Sequence, residues 1–425
     1  MKSGDSTLKV VIAGQGYVGL PLAIQAVGAG FSVVGYDPDN ERIKGLISGE
    51  SYVEDVPNSI LVAALSSGRY VATTDIQDCD SFDVAVITVP TPLTDGAPDL
   101  SYIKQSAREL APMVRKGSTV ILESTTYPGT TEELLVPILE IGSGLTAGSD
   151  FNVGYSPERI DPGNKTWTLH NTPKVVSGVS AQSLASVAAF YDTFVDRTVP
   201  VSGPKIAEMT KLLENTFRHV NIALINELAM FAGELGVDIW EAISAASTKP
   251  FGFMTFTPGP GVGGHCLPVD PSYLSWRVKQ TLGSTFRFVE LANDINDHMP
   301  DYVTRRVSMA LNRDRVAVNG ARILILGLSY KRNSGDVRES PVPVLCERLT
   351  ALGANVRVAE PHMKTSDMPS ALFPVSLTEN ELMEADLVVV TTDHDAFDWQ
   401  LVARSSRRVL DTRHRVAPAE HVEYL

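Results

Sequence analysis

A cysteine surrounded by glycines is the part of this sequence best suited to chemistry. Residues 258–270 read PGPGVGGHCLPVD, and the four glycines leave little side-chain bulk around Cys266. A ligand can therefore approach the backbone and the sulfur closely. The thiolate is the reactive form of cysteine, and His265 and Asp270 are near enough in sequence to influence its protonation. An inert buried thiol is the competing interpretation, and this segment alone does not decide between the two.

A glycine-rich turn near the start of the chain predicts a dinucleotide site. Residues 14–19 read GQGYVG and lie between an apolar, strand-like run at 8–13 and a helix-like stretch. In such a turn the glycines permit the tight bend, the approach of a pyrophosphate to the helix N-terminus, and close packing of helix on strand. Asp37 ends the next strand, where an acid binds ribose hydroxyls and repels a 2′-phosphate, so the pattern favours NAD over NADP. A turn that binds no ligand is the alternative.

Three further segments combine charge with a suggestive position. Residues 156–159, SPER, place a carboxylate after a strand-like run, where doubly wound folds bind ligands. Lys211 and Asn215 are one helical turn apart and share a face. Residues 331–340, KRNSGDVRES, follow another strand-like run, and their three cations can hold phosphates. The alternatives are an ordinary turn, a solvated lysine and an exposed charged loop.

Composition restricts the classes of function. The chain has 425 residues, 44% of them apolar, and a net charge of −14 without a basic block, which argues against nucleic acid and anionic membranes. The three cysteines have no spacing suited to a disulfide framework or a zinc site, so no metal is expected and a reducing cytoplasm is favoured. No stretch approaches the roughly 20 uninterrupted apolar residues that span a bilayer, which predicts a soluble protein.

The elements that would position these residues alternate between strand and helix. Strand-like runs at 8–13, 31–36, 84–89 and 119–123 are separated by helical patterns, which indicates a doubly wound parallel sheet. Apolar residues then recur at helical spacing over 205–236, and a second strand-and-helix series begins at 321. The sequence therefore predicts an α/β protein with two Rossmann-like domains joined by a central helical domain with a long connecting helix. The expected boundaries are 1–200, 201–314 and 315–425.

The sequence resembles the UDP-glucose/GDP-mannose dehydrogenase family over nearly the whole chain. The resemblance is carried by six motifs in this order: GQGYVG, STT at 124–126, SPER, the Lys211–Asn215 helix, GGHCLPVD and YKRNSGDVRES. The resemblance implies an NAD-dependent enzyme that oxidises the C6 alcohol of a nucleotide sugar twice, giving a uronic acid without releasing the aldehyde. Cys266 matches the nucleophile, which forms a thiohemiacetal and then a thioester. Lys211 and Asn215 match the groups that stabilise the oxyanion. The residues that match groups handling water or protons are Asp270, Glu158 and Thr125.

The resemblance also assigns binding residues. The cofactor contacts it implies are Gly14, Gly16, Tyr17, Val18, Gly19, Asp37, Arg42, Thr91 and Arg338. The substrate contacts it implies are Arg159, Lys211, Gly263, Lys331 and Arg413. It further implies a cytoplasmic homodimer built on the central helices, or a higher homo-oligomer, that serves polysaccharide biosynthesis.

The identity of the sugar rests on finer features. The histidine before the cysteine, the GPGVGGHCLPVDPSYL frame and KPFGFM resemble the branch that acts on UDP-N-acetylhexosamines, with UDP-N-acetylglucosamine or an epimer as the leading substrate. Glucose-type members carry a second glutamate where this chain has Pro162, and an arginine from a neighbouring subunit where it has Lys249-Pro250-Phe251. UDP- or TDP-glucose remains the alternative substrate.

Two other classes of function stay open at this level. A two-electron dehydrogenase of the 3-hydroxyacid type shares the Rossmann unit, the long helix and a Lys–Asn pair, but needs neither the cysteine nor a second α/β domain. A non-catalytic nucleotide-sugar-binding protein would not need Lys211, Asn215, Cys266 and Asp270 together.

Overall fold

The chain forms two compact units in a computed structural model, which describes residues 7–94, 96–161, 163–164, 166–264 and 267–425. The units are Met1–Glu214 and Asn215–Leu425. The three domain boundaries given above stay a prediction.

The first unit is built on a six-stranded parallel sheet. The strands of this unit, in that sheet and in two small two-stranded sheets, are β1 (Lys9–Ala13), β2 (Ser32–Tyr36), β3 (Tyr70–Thr73), β4 (Val84–Ile87), β5 (Leu93–Thr94), β6 (Ala97–Pro98), β7 (Thr119–Leu122), β8 (Asn152–Tyr155), β9 (Lys174–Val176) and β10 (Thr198–Pro200). The main sheet has the order β3-β2-β1-β4-β7-β8, while β9 pairs with β10 and β5 with β6. Side chains of β1 alternate between two apolar cores, Val10 and Ile12 in one, Val11 and Ala13 in the other. Both faces of the sheet are therefore covered, as the unbroken apolar run requires.

Helices cover the two faces of this sheet. They are α1 (Gly19–Gly28), α2 (Asn40–Ile47), α3 (Asn58–Ser66), α4 (Ser101–Leu110), α5 (Val136–Ser143) and α6 (Ala181–Tyr191), with shorter helical turns at Ile76–Cys79, Ala111–Met113 and Thr131–Leu135. The long helix α7 (Pro204–Leu235) follows and contributes residues to both units. Its 32 residues agree closely with the predicted helical pattern at 205–236.

The second unit repeats the parallel-sheet design after a helical region. Its helices are α8 (Ile239–Ser247), α9 (Asp270–Leu282), α10 (Arg287–Asp297), α11 (Met299–Arg313), α12 (Pro341–Ala351), α13 (Glu379–Glu384) and α14 (Trp399–Ser405), with a short turn at Thr365–Asp367. Its strands are β11 (Arg322–Leu326), β12 (Asn355–Ala359), β13 (Phe373–Pro374), β14 (Leu387–Val390), β15 (Val409–Asp411) and β16 (Val422–Tyr424). Their order is β13-β12-β11-β14-β15-β16, which matches that of the first sheet. The predicted fold class is thereby confirmed.

Two details of the fold were not predicted from the sequence. Residues 287–313 form two helices that meet at His298, because Pro300 cannot continue α10 and stands in the first turn of α11. Strand β3 was not predicted, since it lies at the sheet edge and exposes Val71 instead of being buried throughout. Among the described residues, no helix is both long and apolar enough to cross a membrane.

Candidate active site

The glycine-rich turn joins β1 to α1 in the first unit, where the sequence predicts it. A Cβ atom on Gly19 would lie 1.8 Å from the carbonyl oxygen of Gly14, so only glycine allows the helix to start this close to the turn. The backbone N–H of Gln15 donates to the carboxylate of Asp37 over 2.8 Å. Arg42 donates to the same carboxylate oxygen over 2.7 Å. Asp37 therefore ties the turn to the end of β2 as well as standing at the predicted ribose position.

The geometry of this turn fits a bound dinucleotide. A Cβ atom on Gly16 would meet nothing within 4 Å, so the space beside the second glycine is open. No side chain caps the first turn of α1, so its N–H groups and the positive end of its helix dipole can bind an anion in this space. Tyr17 is exposed beside it. On the neighbouring loops, the Thr91 hydroxyl donates to the carbonyl oxygen of Thr125 over 2.8 Å, so predicted contacts from β4 and β7 lie together.

The predicted residues Glu158 and Lys211 meet in the same unit. Lys211 Nζ donates to the carbonyl oxygen of Glu158 over 2.6 Å and lies 3.6 Å from its carboxylate. Both residues are buried, where little water can solvate their charges. Each charge is instead stabilised by the opposite charge of its neighbour. Arg159 pairs with Glu214 over 2.6 Å and donates to the Pro173 carbonyl oxygen. The SPER turn is thus held on α7 by two cationic contacts.

The other predicted residue of the long helix, Asn215, lies in the second unit and contacts Asp270. Asn215 Nδ2 donates to Asp270 Oδ2 over 2.5 Å, although 55 residues separate them in sequence. Asp270 is 1% exposed and begins α9, where the positive end of the helix dipole stabilises a carboxylate. Cys266 and His265 lie outside the described residues, and so does Pro162.

The glycines before Cys266 have a role that the sequence did not indicate. A Cβ atom on Gly263 would lie 2.5 Å from the Cβ of Tyr330 and 2.8 Å from the Glu339 carbonyl oxygen. One on Gly259 would lie 2.5 Å from Arg413 Nη1. These glycines allow the loop to pack on other parts of its own unit. These glycines make room for Arg413 and Tyr330, and the expectation that they also let a ligand approach Cys266 stays a prediction.

The predicted cationic binding residues of the second unit are held by local contacts. Arg338 pairs with Asp336 over 2.6 Å and is half exposed. Arg413 Nε donates to the Thr391 carbonyl oxygen over 2.8 Å, and burial lowers the pKa of its guanidinium while Asp393 and Asp411 oppose that shift. Lys331 is half-buried after the end of β11.

The two described cysteines are not candidates for nucleophilic chemistry. Cys79 and Cys346 are buried, and burial raises the pKa of each thiol to about 12, which leaves almost no thiolate at neutral pH. Within the described part of the chain, no group of three or more His, Cys, Asp or Glu side chains is arranged to hold a metal ion.

Sequence reasoning missed two groups of buried polar residues in the first unit. Gln15 was assigned no role from the sequence, but its side chain donates to the Ile12 carbonyl oxygen and accepts from the Tyr70 hydroxyl over 2.6 Å. Lys174 and Glu123 form a buried ion pair behind the SPER turn. The sequence shows only that Lys174 precedes two apolar residues of a short strand. That pattern does not predict which carboxylate the lysine contacts.

The fold and these contacts define a dinucleotide-binding dehydrogenase scaffold. A parallel sheet of this strand order, with a glycine-rich first turn and an acid after the second strand, binds a dinucleotide at the carboxyl ends of its strands.

Comparison with known proteins makes the assignment specific. Three family models match: the UDP-glucose/GDP-mannose dehydrogenase family NAD binding domain at residues 8–195, its central domain at 205–298 and its UDP binding domain at 324–418. This chain belongs to the UDP-glucose/GDP-mannose dehydrogenase family. It is an NAD-dependent nucleotide-sugar dehydrogenase, which confirms the prediction of family, cofactor and substrate class.

Relatives of this chain match over almost their whole length. UDP-N-acetyl-D-glucosamine 6-dehydrogenase of Pseudomonas aeruginosa is 37% identical over 423 residues, 98% of this chain and 96% of that protein. UDP-N-acetyl-D-mannosamine dehydrogenase of Pyrococcus horikoshii is 36% identical over 413 residues, 96% of this chain and 95% of that protein. A solved UDP-D-ManNAc dehydrogenase structure from Pyrococcus horikoshii superposes with a TM-score of 0.88 at 35% identity, covering 98% of each chain.

Proposed function

We propose that this enzyme oxidises the C6 alcohol of a UDP-N-acetylhexosamine to the uronic acid, with UDP-N-acetylglucosamine or an epimer as substrate. The buried contact between Lys211 and Glu158 is the observation that carries the proposal. It supplies a cation and a carboxylate at the end of β8, where an oxyanion and a water must be handled. The names of the relatives support the N-acetylated sugar.

The proposed reaction consists of two oxidations at C6 and a hydrolysis. NAD, which the glycine-rich turn from Gly14 to Gly19 and Asp37 would hold, would supply the hydride acceptor for both oxidations. The C6 alcohol first loses a hydride and a proton to give the aldehyde, which the Cys266 thiolate attacks to form a thiohemiacetal. The thiohemiacetal then loses its hydroxyl proton and a second hydride to give a thioester, and hydrolysis by water releases the carboxylate, a proton and the free thiol. Overall, one alcohol, one water and two NAD⁺ give one carboxylate, two NADH and three protons.

The described contacts suit the roles proposed for the other residues. Lys211 and Asn215 stabilise the oxyanion at C6, and the hydrogen bond from Asn215 to Asp270 orients both side chains. Glu158 and Asp270 guide water and protons during hydrolysis. Thr125, whose carbonyl oxygen accepts from Thr91, borders the cofactor side.

The nucleotide sugar is proposed to contact four cationic side chains and one glycine. These positions are Arg159, Lys211, Gly263, Lys331 and Arg413. The cofactor is proposed to contact the turn from Gly14 to Gly19, with Asp37, Arg42, Thr91 and Arg338.

The proposal is tested by counting NADH for each sugar consumed. We expect two NADH per UDP-N-acetylglucosamine or epimer, with the uronic acid as the only sugar product by chromatography. One NADH per sugar would instead indicate a two-electron dehydrogenase. A panel of UDP- and TDP-sugars tests the substrate. We expect kcat/KM for the best acetamido sugar to exceed that for UDP-glucose by at least about tenfold, whereas a reversed ratio would favour the glucose alternative.

We also propose that the enzyme is a cytoplasmic homodimer that supports polysaccharide biosynthesis. Large apolar side chains lie on one exposed face of α7 in the second unit, and we call this face the apolar stripe: Phe217, Leu224, Leu228, Phe231 and Leu235. Their spacing of three, four or seven residues is that of a helix face that packs against another helix. A second copy of the chain fits this face.

The domain boundaries proposed remain 1–200, 201–314 and 315–425.

A further inference from the structure

A buried ion pair lies at the carboxyl ends of β7 and β8 in the first unit. Lys174 Nζ is 2.8 Å from Glu123 Oε1, and the two side chains are 2% and 1% exposed. The Tyr191 hydroxyl donates to the same carboxylate oxygen, and Lys174 Nζ lies 5.0 Å from the centre of the Tyr191 ring. Burial of two charges is costly, and their attraction offsets that cost only when the geometry is good and further hydrogen bonds are made.

This pair contacts the backbone of the turn that carries Glu158. Lys174 Nζ donates to the carbonyl oxygen of Pro157 over 3.1 Å. The next carbonyl oxygen, that of Glu158 itself, accepts from Lys211 over 2.6 Å. Two consecutive carbonyl groups are therefore each held by a buried lysine. Because peptide planes are rigid, fixing both of them fixes the direction in which the Glu158 side chain leaves the backbone.

The same pair reaches the other predicted water-handling segment. Glu123 directly follows β7 and is two residues before Thr125. Between them, the Ser124 hydroxyl donates to the Val89 carbonyl oxygen over 2.7 Å. A carboxylate locked by Lys174 and Tyr191 thus sets where this segment leaves the sheet.

We propose that Lys174 and Glu123 are positioning residues for hydrolysis of the thioester, through their hold on the turns that carry Glu158 and Thr125. The inference rests on the proposed function. It predicts that disturbing the pair slows the hydrolytic step more than either hydride transfer, since the misplaced groups are those that guide water.

The test is the double variant E123Q/K174M, which removes both charges and so leaves no unpaired buried charge. A misplacement of about 1 Å costs about 100-fold in rate, and we expect the steady-state rate to fall by about that factor. A rapid burst of two NADH per site should persist, and intact-mass analysis should detect an enzyme adduct of the sugar acid.

A matched control lies at the other end of the same two strands. Lys116 pairs with Asp150 over 3.0 Å just before β7 and β8, on an exposed surface. The variant D150N/K116M makes the same chemical changes and should keep the wild-type burst and steady-state rate.

Two results would overturn the inference. Burst and steady-state rate that fall by the same factor without an adduct would indicate a merely structural role. Wild-type turnover in E123Q/K174M would show no role. If that variant does not fold, Tyr191→Phe removes one hydroxyl without changing charge, and hydrolysis should slow by about fivefold with the same adduct; unchanged hydrolysis would also reject the inference. A wild-type enzyme that yields one NADH per sugar would instead reject the proposed function.

Discussion

Asp37 has two tasks at one carboxylate. It accepts backbone N–H groups from Gln15 and Asp39 over 2.8 and 3.0 Å, and it pairs with Arg42 over 2.7 Å. The first contacts shape the glycine-rich turn, and the last keeps a guanidinium next to the predicted ribose position. Its negative charge therefore supports the turn, repels a 2′-phosphate and neutralises Arg42, which could otherwise attract that phosphate.

Substitution Asp37→Asn separates these tasks. We expect NADH affinity to fall by about tenfold, as loss of a charged hydrogen-bond acceptor predicts, and NADPH affinity to rise because Arg42 is released. Fluorescence titration with both cofactors measures the two effects without turnover. Asp39→Asn, at an exposed neighbour, should leave the ratio of the two affinities unchanged. An unaltered ratio in Asp37→Asn would contradict the assignment.

Cys266 is the residue whose substitution tests the covalent step. Cys266→Ser should still bind NADH and nucleotide sugar, since the size of the side chain is nearly conserved. Acid formation should fall by about 10⁴-fold, because a serine hydroxyl is a poor nucleophile without a base to activate it. Chromatography of the sugar products measures this directly. Cys346→Ala, at a thiol whose pKa burial raises to about 12, should remain active, and native acid formation by Cys266→Ser would refute the thioester.

At the scale of elements, a chain of amide hydrogen bonds links α7 to the glycine loop of the second unit. His219 Nε2 lies 2.8 Å from Asn293 Oδ1, and Asn296 Nδ2 faces the other ring nitrogen at 3.5 Å. Asn226 donates to Asn296 over 2.9 Å and accepts the Gly259 N–H over 3.0 Å. The imidazole is thus suited to its neutral form, and burial lowers the pKa of His219.

This arrangement predicts a pH dependence of stability. Below the ordinary histidine pKa of 6.5, His219 gains a proton in the unfolded chain before it does so in the folded chain, so its protonation favours unfolding. We expect Tm to fall between pH 7.5 and pH 5.5, and to fall less in His219→Gln. Calorimetry at the two pH values measures the difference.

The exposed His298 provides a control of opposite sign. A hydrogen bond with the Asp294 backbone, and then the charge of Asp294, raise the pKa of His298, so its protonation favours the folded state below pH 6.5. His298→Gln should therefore make the acid-induced fall in Tm steeper. Equal slopes in both variants and the wild type would show that these two histidines do not set the response.

Elements differed in how well the sequence predicted them. The central strands β1, β4, β7, β11 and β14 are buried apolar runs, so their composition was sufficient. The short strands β9 and β10 were missed, because three residues carry almost no periodic signal. Such strands exist only because a neighbouring strand supplies their hydrogen bonds.

At the scale of the whole molecule, the two sheets match residue by residue at their strand ends. Thr88 donates to the carbonyl oxygens of Ala13 and Gly14, and Thr391 does the same to Leu326 and Gly327. An acid follows the second strand in each, Asp37 in the first unit and Glu360 in the second.

The second unit uses its acid differently. Glu360 accepts the Leu328 N–H over 2.8 Å and pairs with the buried His394 over 3.0 Å. His394 in turn accepts the Asn333 N–H, which holds the loop that carries Lys331. The Glu360 carboxylate is thus occupied by contacts with other residues of the second unit. The turn after β11 has Ser329 at the position that Gly16 occupies in the turn after β1. Among the residues that the structure describes, the physical signature of a dinucleotide site is therefore complete in the first unit alone.

The proposed dimer makes a prediction at this scale. Leu228→Glu would place a charge within the apolar stripe, and desolvating it in an interface costs several kcal/mol. We expect the variant to be monomeric by light scattering at concentrations where the wild type is dimeric. Ile47→Glu, at an isolated exposed apolar residue of α2, should leave the oligomeric state unchanged. A monomeric wild type would contradict the proposal.

The sequence by itself determined the class of this protein. Strand–turn–helix order, GQGYVG and the acid at position 37 depend on local geometry, and local geometry can be read from neighbouring residues. The tertiary structure decided the partners. Glu158 with Lys211 and Asn215 with Asp270 are separated by 53 and 55 residues. Packing also decided that Gly263 makes room for Tyr330. Contacts over such separations depend on how the elements pack, which no local pattern of residues specifies.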